Sequence, residues 1–131
     1  MSADPPEVEA AFAAFPDMAR GRLRAARSAI AEEARALDLG PLIASLKWGQ
    51  PSYVAPGGCG TPIRLGVVRD GTPALFVHCG TTLIDEYRHI AGEGARTEGR
   101  RAALIGREGA APLRPLIRAA LTYKSRRKAA P

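Results

Sequence analysis

The stretch Thr61-Pro62-Ile63-Arg64-Leu65-Gly66-Val67-Val68-Arg69-Asp70-Gly71-Thr72-Pro73-Ala74-Leu75-Phe76-Val77-His78-Cys79 decides the fold. Two apolar runs, 61–69 and 72–79, flank Asp70-Gly71, a strong two-residue hairpin signal because Asp and Gly tolerate positive φ. A two-residue loop pairs Ile63 with His78, Leu65 with Phe76 and Val67 with Ala74, and puts all six on one face. The opposite face carries Arg64, Gly66, Val68, Leu75, Val77 and Cys79. The first face is the better candidate for the core. Pro73 then falls at a non-hydrogen-bonded pair, so a third strand beside 72–79 starts pairing after Pro73.

Outward from the hairpin the period changes from two to 3.6 residues. Val8, Ala11, Phe12 and Phe15 follow the i, i+3, i+4, i+7 rule, which predicts a helix from about Pro6 to Phe15. Pro16 interrupts it, and Pro16-Asp17 suits the first turn of a second helix running to about Asp38. Its stripe is Leu23, Ala26, Ile30, Ala34 and Leu37; Gly40-Pro41 stops it. Residues 41–47 read as one further turn of helix. After the hairpin, Thr82 and Asp85 resemble a capping box opening a helix with Leu83, Ile84, Tyr87 and Ile90, closed near Gly92. Residues 96–105 read as a third main strand and 106–111 as loop. Leu113, Leu116, Ile117, Ala120 and Leu121 mark a last helix. The expected class is α+β: a small, mostly antiparallel curved sheet packed with amphipathic helices.

The 131 residues are one domain's worth, and 46% hydrophobic with 24% charged residues is an ordinary globular mix. Two cysteines exclude a disulfide-dense framework and a four-cysteine zinc site. The net charge is +6, and only Lys47, Lys124 and Lys128 are lysines. Lys124, Arg126, Arg127 and Lys128 form a basic C-terminal tail at about 124–131; six less these four leaves +2. A second cluster is Arg20, Arg22, Arg24 and Arg27. Such a tail can meet polyanions, or simply be a solvated helix end where cations suit the dipole. Acidic Asp4, Glu7 and Glu9 open the chain where a signal peptide would need basic and apolar segments. The central run Gly71–Ile84 lacks Asp, Glu, Lys and Arg but is too short to span a bilayer. The expectation is a cytoplasmic chain with reduced Cys59 and Cys79 and no membrane contact.

Leu46-Lys47-Trp48-Gly49-Gln50-Pro51-Ser52-Tyr53 resembles the signature of the YdhG-like family, small bacterial domains of unknown function. Phe15-Pro16, Phe76-Val77-His78-Cys79, Thr82-Leu83-Ile84-Asp85, Glu98-Gly99-Arg100-Arg101-Ala102 and Ala120-Leu121-Thr122-Tyr123 extend the resemblance over nearly the whole chain. It implies helices on a curved sheet and carries over no catalytic motif. Some relatives are described as frataxin-like iron chaperones, so the resemblance makes iron delivery an alternative function. The residues themselves read structurally: Gly49 and Pro51 enforce a tight, irregular start to a strand. Trp48 reads as a packing anchor filling a core edge, as does Tyr53. The functional reading is a ligand pocket drawn from Lys47, Trp48, Gln50, Tyr53, Arg64 and Tyr123.

Catalytic and metal chemistry is sparse. His78 and Cys79 are adjacent on a strand and point apart, so they do not share an ion. Glu7 with Glu9, Glu32–Glu33 and Asp85–Glu86 are the local carboxylate concentrations that iron would need, Glu7 and Glu9 being the candidates, but arginines on the long helix oppose a cation there. Cys79 precedes a predicted helix, where a thiol is activated, and Arg64 lies on its face. The plain alternative is a small buried hydrophobe, since no base or orienting partner is evident. Gly57-Gly58-Cys59-Gly60 lacks the ending of a phosphate loop and reads as a flexible loop. Seven aromatic residues, mostly on core stripes, argue against a nucleic-acid stacking platform. These readings favour a non-enzymatic module, without a cofactor, that binds a small molecule or a protein. Iron carriage and a thiol-dependent reaction at Cys79 are the alternatives.

Overall fold

The computed structural model describes residues 4–125. The basic tail beyond Ser125 lies outside the described residues. Two helices come first: α1, Pro6–Ala14, and α2, Asp17–Ala36. Each starts directly after a proline at φ near −55°, Pro5 and Pro16, which presets the first turn. The arginine cluster of α2 joins the two helices rather than forming a free patch. Arg20 pairs with Asp17 and donates to the carbonyls of Ala13 and Phe15, which end α1. Arg24 meets Glu9 at 3.4 Å and lies over the Phe12 ring, and Arg27 meets Asp4.

Residues 43–47 are a strand, not a further turn of helix. β1, Ile43–Lys47, pairs antiparallel with β2, Gln50–Val54, from Ile43 opposite Val54 to Lys47 opposite Gln50. The two-residue loop is Trp48-Gly49, with φ of 55° and 74°. Both central residues at positive φ define the turn whose twist matches a hairpin. That turn gives residues 43–47 a partner strand, which overrides any local helical tendency.

β3, Ile63–Val67, pairs with β2 on one side and with β4, Pro73–Phe76, on the other. The hairpin expected at Asp70-Gly71 is present, but its alignment is displaced by one residue. Leu65 faces Leu75, and Arg64 faces Phe76. The loop has three residues, Arg69-Asp70-Gly71. The Val68 N–H donates to the Thr72 carbonyl at 2.9 Å, and the Gly71 N–H donates to the Val68 carbonyl. Gly71 takes φ 90°, and Asp70 Oδ1 accepts from the Thr72 N–H. A tight turn followed by a left-handed glycine is the usual three-residue solution. A one-residue slip exchanges faces. Leu75 and Val77 therefore join Ile63 and Leu65 under the helices, while Phe76 and Ala74 turn to the other side.

The expected strand over 96–105 is instead a short hairpin. β5, Thr97–Glu98, and β6, Ala102–Leu104, bend back at Gly99, φ 60°. β6 pairs with β4 starting at Ala74, with the Pro73 carbonyl accepting from Ile105, so Pro73 gives up only a donor it lacks. The sheet has six strands in the order β1-β2-β3-β4-β6-β5, every neighbour antiparallel.

Helix α3, Leu83–Ala91, connects β4 to β5, and α4, Arg114–Leu121, follows β6. The expected capping box is not formed: Thr82 Oγ1 donates to Glu86 instead of capping the backbone. Helices α1 to α4 all contribute to one core, in which Phe12, Leu23, Ile30, Leu83, Ile84, Leu116 and Ile117 are fully buried against Ile63, Leu65, Leu75 and Ile105. The architecture is α+β, an open sheet with helices on one face. The loop 57–60 is a fitted splice against the end of α4. The Thr61 N–H donates to the Ala120 carbonyl, the backbone N–H groups of Lys124 and Ser125 donate to the Cys59 carbonyl, and Gly60 lies so close to Leu121 that a side chain would overlap its carbonyl. Among the described residues no helix is long and apolar enough to cross a membrane.

Candidate functional site

The open sheet face and the helix-covered face each carry a concavity, and four of the six sequence-predicted pocket residues divide between them. Period-two alternation puts Lys47, Gln50, Ser52, Arg64 and Phe76 on the open face. A groove of ≈ 820 Å³ runs there, lined by Trp48, Gln50, Arg64, Arg69, Phe76 and Arg101 among others. Tyr53 points the opposite way, into a cleft between α2 and the β1–β2 hairpin. Lys47 is exposed and borders neither concavity. Tyr123 is buried beneath the helices, where its hydroxyl accepts from the Thr82 N–H at 3.3 Å, and it lines neither.

Trp48 is no packing anchor. It sits at the hairpin tip, 90% exposed, with a backbone φ of 55°. A left-handed conformation at a bulky residue costs roughly 1–2 kcal/mol. The hairpin turn imposes that conformation, and the indole it carries is left open to solvent.

Arg64 lines the groove. Its Nη1 donates to Gln50 Oε1 at 3.2 Å, and its guanidinium lies 5.7 Å from the centre of the Phe76 ring. Gln50 reaches this position by lying across Gly66, where a Cβ would meet its amide. Partial burial pushes the Arg64 pKa below its ordinary value, and the like charge of Arg101 pushes it the same way. Cys79 acts in the opposite sense, so the thiol lies within electrostatic reach. Neither Arg64, Arg69 nor Arg101 has an ion pair among the described residues, and Glu98 is the one carboxylate lining the groove. The floor is apolar, made by Val68 and Phe76 over Ala74 and Ala102.

The remaining candidates stand apart. Cys79 is an exposed free thiol, not a buried hydrophobe, and lies past the end of β4. His78 turns its Nδ1 to the Gly80 N–H at 3.0 Å. Glu7 and Glu9 are exposed on α1, Glu9 being engaged by Arg24. No three His, Cys, Asp or Glu residues gather into a metal-binding group among the described residues.

Three features of the two concavities are not marked by any motif. Phe76 reaches the open face only because of the three-residue loop. Arg101 reaches it because Gly99 folds 96–105 back. Asp4 and Arg27 meet at the end of the helix-side cleft although 23 positions apart. The Trp48-Gly49 pair was the available signal for the first hairpin, since a glycine between two strand-like runs marks a turn. Comparison with family models, with curated proteins and with solved structures finds no match.

Proposed function

We propose that this chain is a non-enzymatic binding module that takes a small anion bearing a planar ring in the groove on the open sheet face. The carrying observation is that Arg64 and Arg101, neither in an ion pair among the described residues, line one groove with the exposed Trp48. Two like charges on a half-buried surface repel; an anion between them replaces repulsion with charge-assisted hydrogen bonds. The ring of the ligand stacks on Trp48 or covers the apolar floor at Val68 and Phe76. Gln50 holds the Arg64 fork in place before the ligand arrives, which lowers the ordering cost. A mononucleotide has this chemistry.

Trp48 is the sole tryptophan, so its emission reports on the groove alone. Titration with AMP is expected to quench it saturably. Inorganic phosphate should compete without quenching, and adenosine should bind more weakly than AMP. Arg64→Met should weaken AMP binding about tenfold or more, the loss of one charge-assisted contact. Unchanged Trp48 emission through millimolar AMP, or equal affinity in Arg64→Met, overturns the reading.

A thiol reaction at Cys79 is a second reading, favoured by its exposure and by the nearby Arg64 charge. It requires iodoacetamide labelling below pH 8 that slows in Arg64→Met; no labelling in the folded state removes it.

A further inference from the structure

The cleft on the helix side ends in a carboxylate supplied by the chain itself. Asp4 Oδ2 accepts from Arg27 Nε at 2.6 Å and from the Tyr53 hydroxyl at 2.8 Å. The Asp4 side chain is 5% exposed and that of Arg27 19%. Beyond this polar end the ≈ 560 Å³ cleft is lined mostly by small or apolar residues, including Pro5, Ala31, Ala34, Leu42 and Ala44, with the charged Arg35 and Asp38 also lining it. Its size falls within the range of small-molecule sites, about 300–1,000 Å³. The alanines on α2 create the space: Arg27, Ala31 and Ala34 follow the helical repeat along one stripe facing it.

A guanidinium and a phenol that converge on one oxygen form a receptor for a carboxylate. We propose that Arg27 and Tyr53 are the head of a second ligand site, for a monocarboxylate with an apolar body. Asp4 fills the carboxylate position until a ligand displaces it. The exchange conserves charge, so Arg27 is never left buried without an anion. The ligand's body covers Ala31, Ala34 and Leu42, contacts Asp4 does not make, and this apolar gain is what lets it compete. Asp4 arrives on the short segment leading into α1, so displacement needs movement of that segment and not of the core.

The test uses the full chain with acetate, hexanoate, octanoate and 1-octanol as probes, read by calorimetry and thermal unfolding. Asp4→Ala is expected to melt below wild type and to be restored by octanoate. Affinity should rise about two- to fourfold for each added methylene from acetate upward. Octanol should not restore it, and wild type should bind octanoate at least tenfold more weakly than Asp4→Ala. Adding Ala31→Phe should abolish the chain-length dependence while keeping the response to acetate. If Asp4→Ala does not fold, folded Asp4→Asn must also bind octanoate more tightly than wild type. Equal affinity for acetate and octanoate, or no tighter binding in either Asp4 variant, overturns the proposal. Octanoate should leave Trp48 emission unchanged, so this outcome is independent of the groove on the opposite face.

Discussion

Trp48→Asn separates the strain at the hairpin tip from the use of the indole. Trp48 stands at φ 55° and is 90% exposed, followed by Gly49 at φ 74°. Asparagine tolerates this conformation far better, and Asn-Gly is the preferred pair for the turn. Removing the indole forfeits little burial. The net expectation is stabilisation of about 0.5–1 kcal/mol, from a left-handed penalty of roughly 1–2 kcal/mol that asparagine only partly avoids. For a chain of this size that is a rise in Tm of about 2–5 °C. Differential scanning calorimetry measures it, with AMP affinity followed by calorimetric titration because the fluorophore is gone. The same substitution should weaken AMP binding several-fold through the lost ring contact. A variant more stable yet poorer at binding is the pattern of a position kept for function. A fall in Tm of several degrees would mean that Trp48 holds the fold together, and would refute the reasoning from exposure and strain.

Gly60→Ala should destabilise by about 1–3 kcal/mol, the cost of overpacking, because its Cβ meets the immovable Leu121 carbonyl; urea unfolding reads this. Burial and the neighbouring Asp4 carboxylate raise the Tyr53 pKa above its ordinary 10.0. A raised phenol pKa gives stability that is fully present below the unfolded value and lost as pH rises through the folded one, so stability should decline from about pH 10 upward. Tyr53→Phe should flatten that decline, as measured by chemical unfolding at stepped pH. Titration with ferrous iron should show no micromolar site, since Glu7 and Glu9 find no third ligand among the described residues; micromolar binding lost in Glu7→Ala/Glu9→Ala would restore the iron proposal.

The helices were legible because each carries an apolar stripe that only one face of a helix can bury. Leu23, Ala26 and Ile30 declare α2 without help from the rest of the chain. The strands were legible as apolar runs, but their pairing was not, because pairing depends on loop geometry. Residues 41–47 read as a further turn of helix because nothing within them marks a strand; Trp48-Gly49 supplies the partner that makes 43–47 one. Arg and Glu in 96–101 hide a hairpin whose only mark is Gly99. The site suffers most from this. Lys47, Gln50 and Tyr53 are neighbours in sequence, yet alternation along β2 sends Gln50 and Tyr53 to opposite faces.

The single residue by which the β3–β4 alignment departs from the two-residue reading can be tested by deleting Arg69. The deletion leaves Val68-Asp70-Gly71-Thr72, the two-residue loop that the sequence favours, yet Val68 still faces Thr72. The observed alignment already pairs these two, with the Val68 N–H on the Thr72 carbonyl at 2.9 Å. In the shortened loop the Thr72 N–H, now held by Asp70 Oδ1, is released to the Val68 carbonyl, which completes the closing pair. Leu65 therefore keeps Leu75 as its partner, and Phe76 stays on the open face. Asp and Gly both accept positive φ, so the new turn costs little, and Tm should change by no more than a few degrees. Nuclear Overhauser contacts between Leu65 and Leu75 check the alignment. The groove loses one unpaired cation, so phosphate affinity should fall modestly. Had the faces been set by Asp70-Gly71 as the loop of the intact chain, removing a residue before it would carry Ile63 and Leu65 out of the core. That would expose two aliphatic side chains, each worth about 1.5–3 kcal/mol when buried, out of a total stability of about 5–15 kcal/mol. Loss of cooperative unfolding in the deletion variant would accordingly overturn the alignment on which both concavities depend.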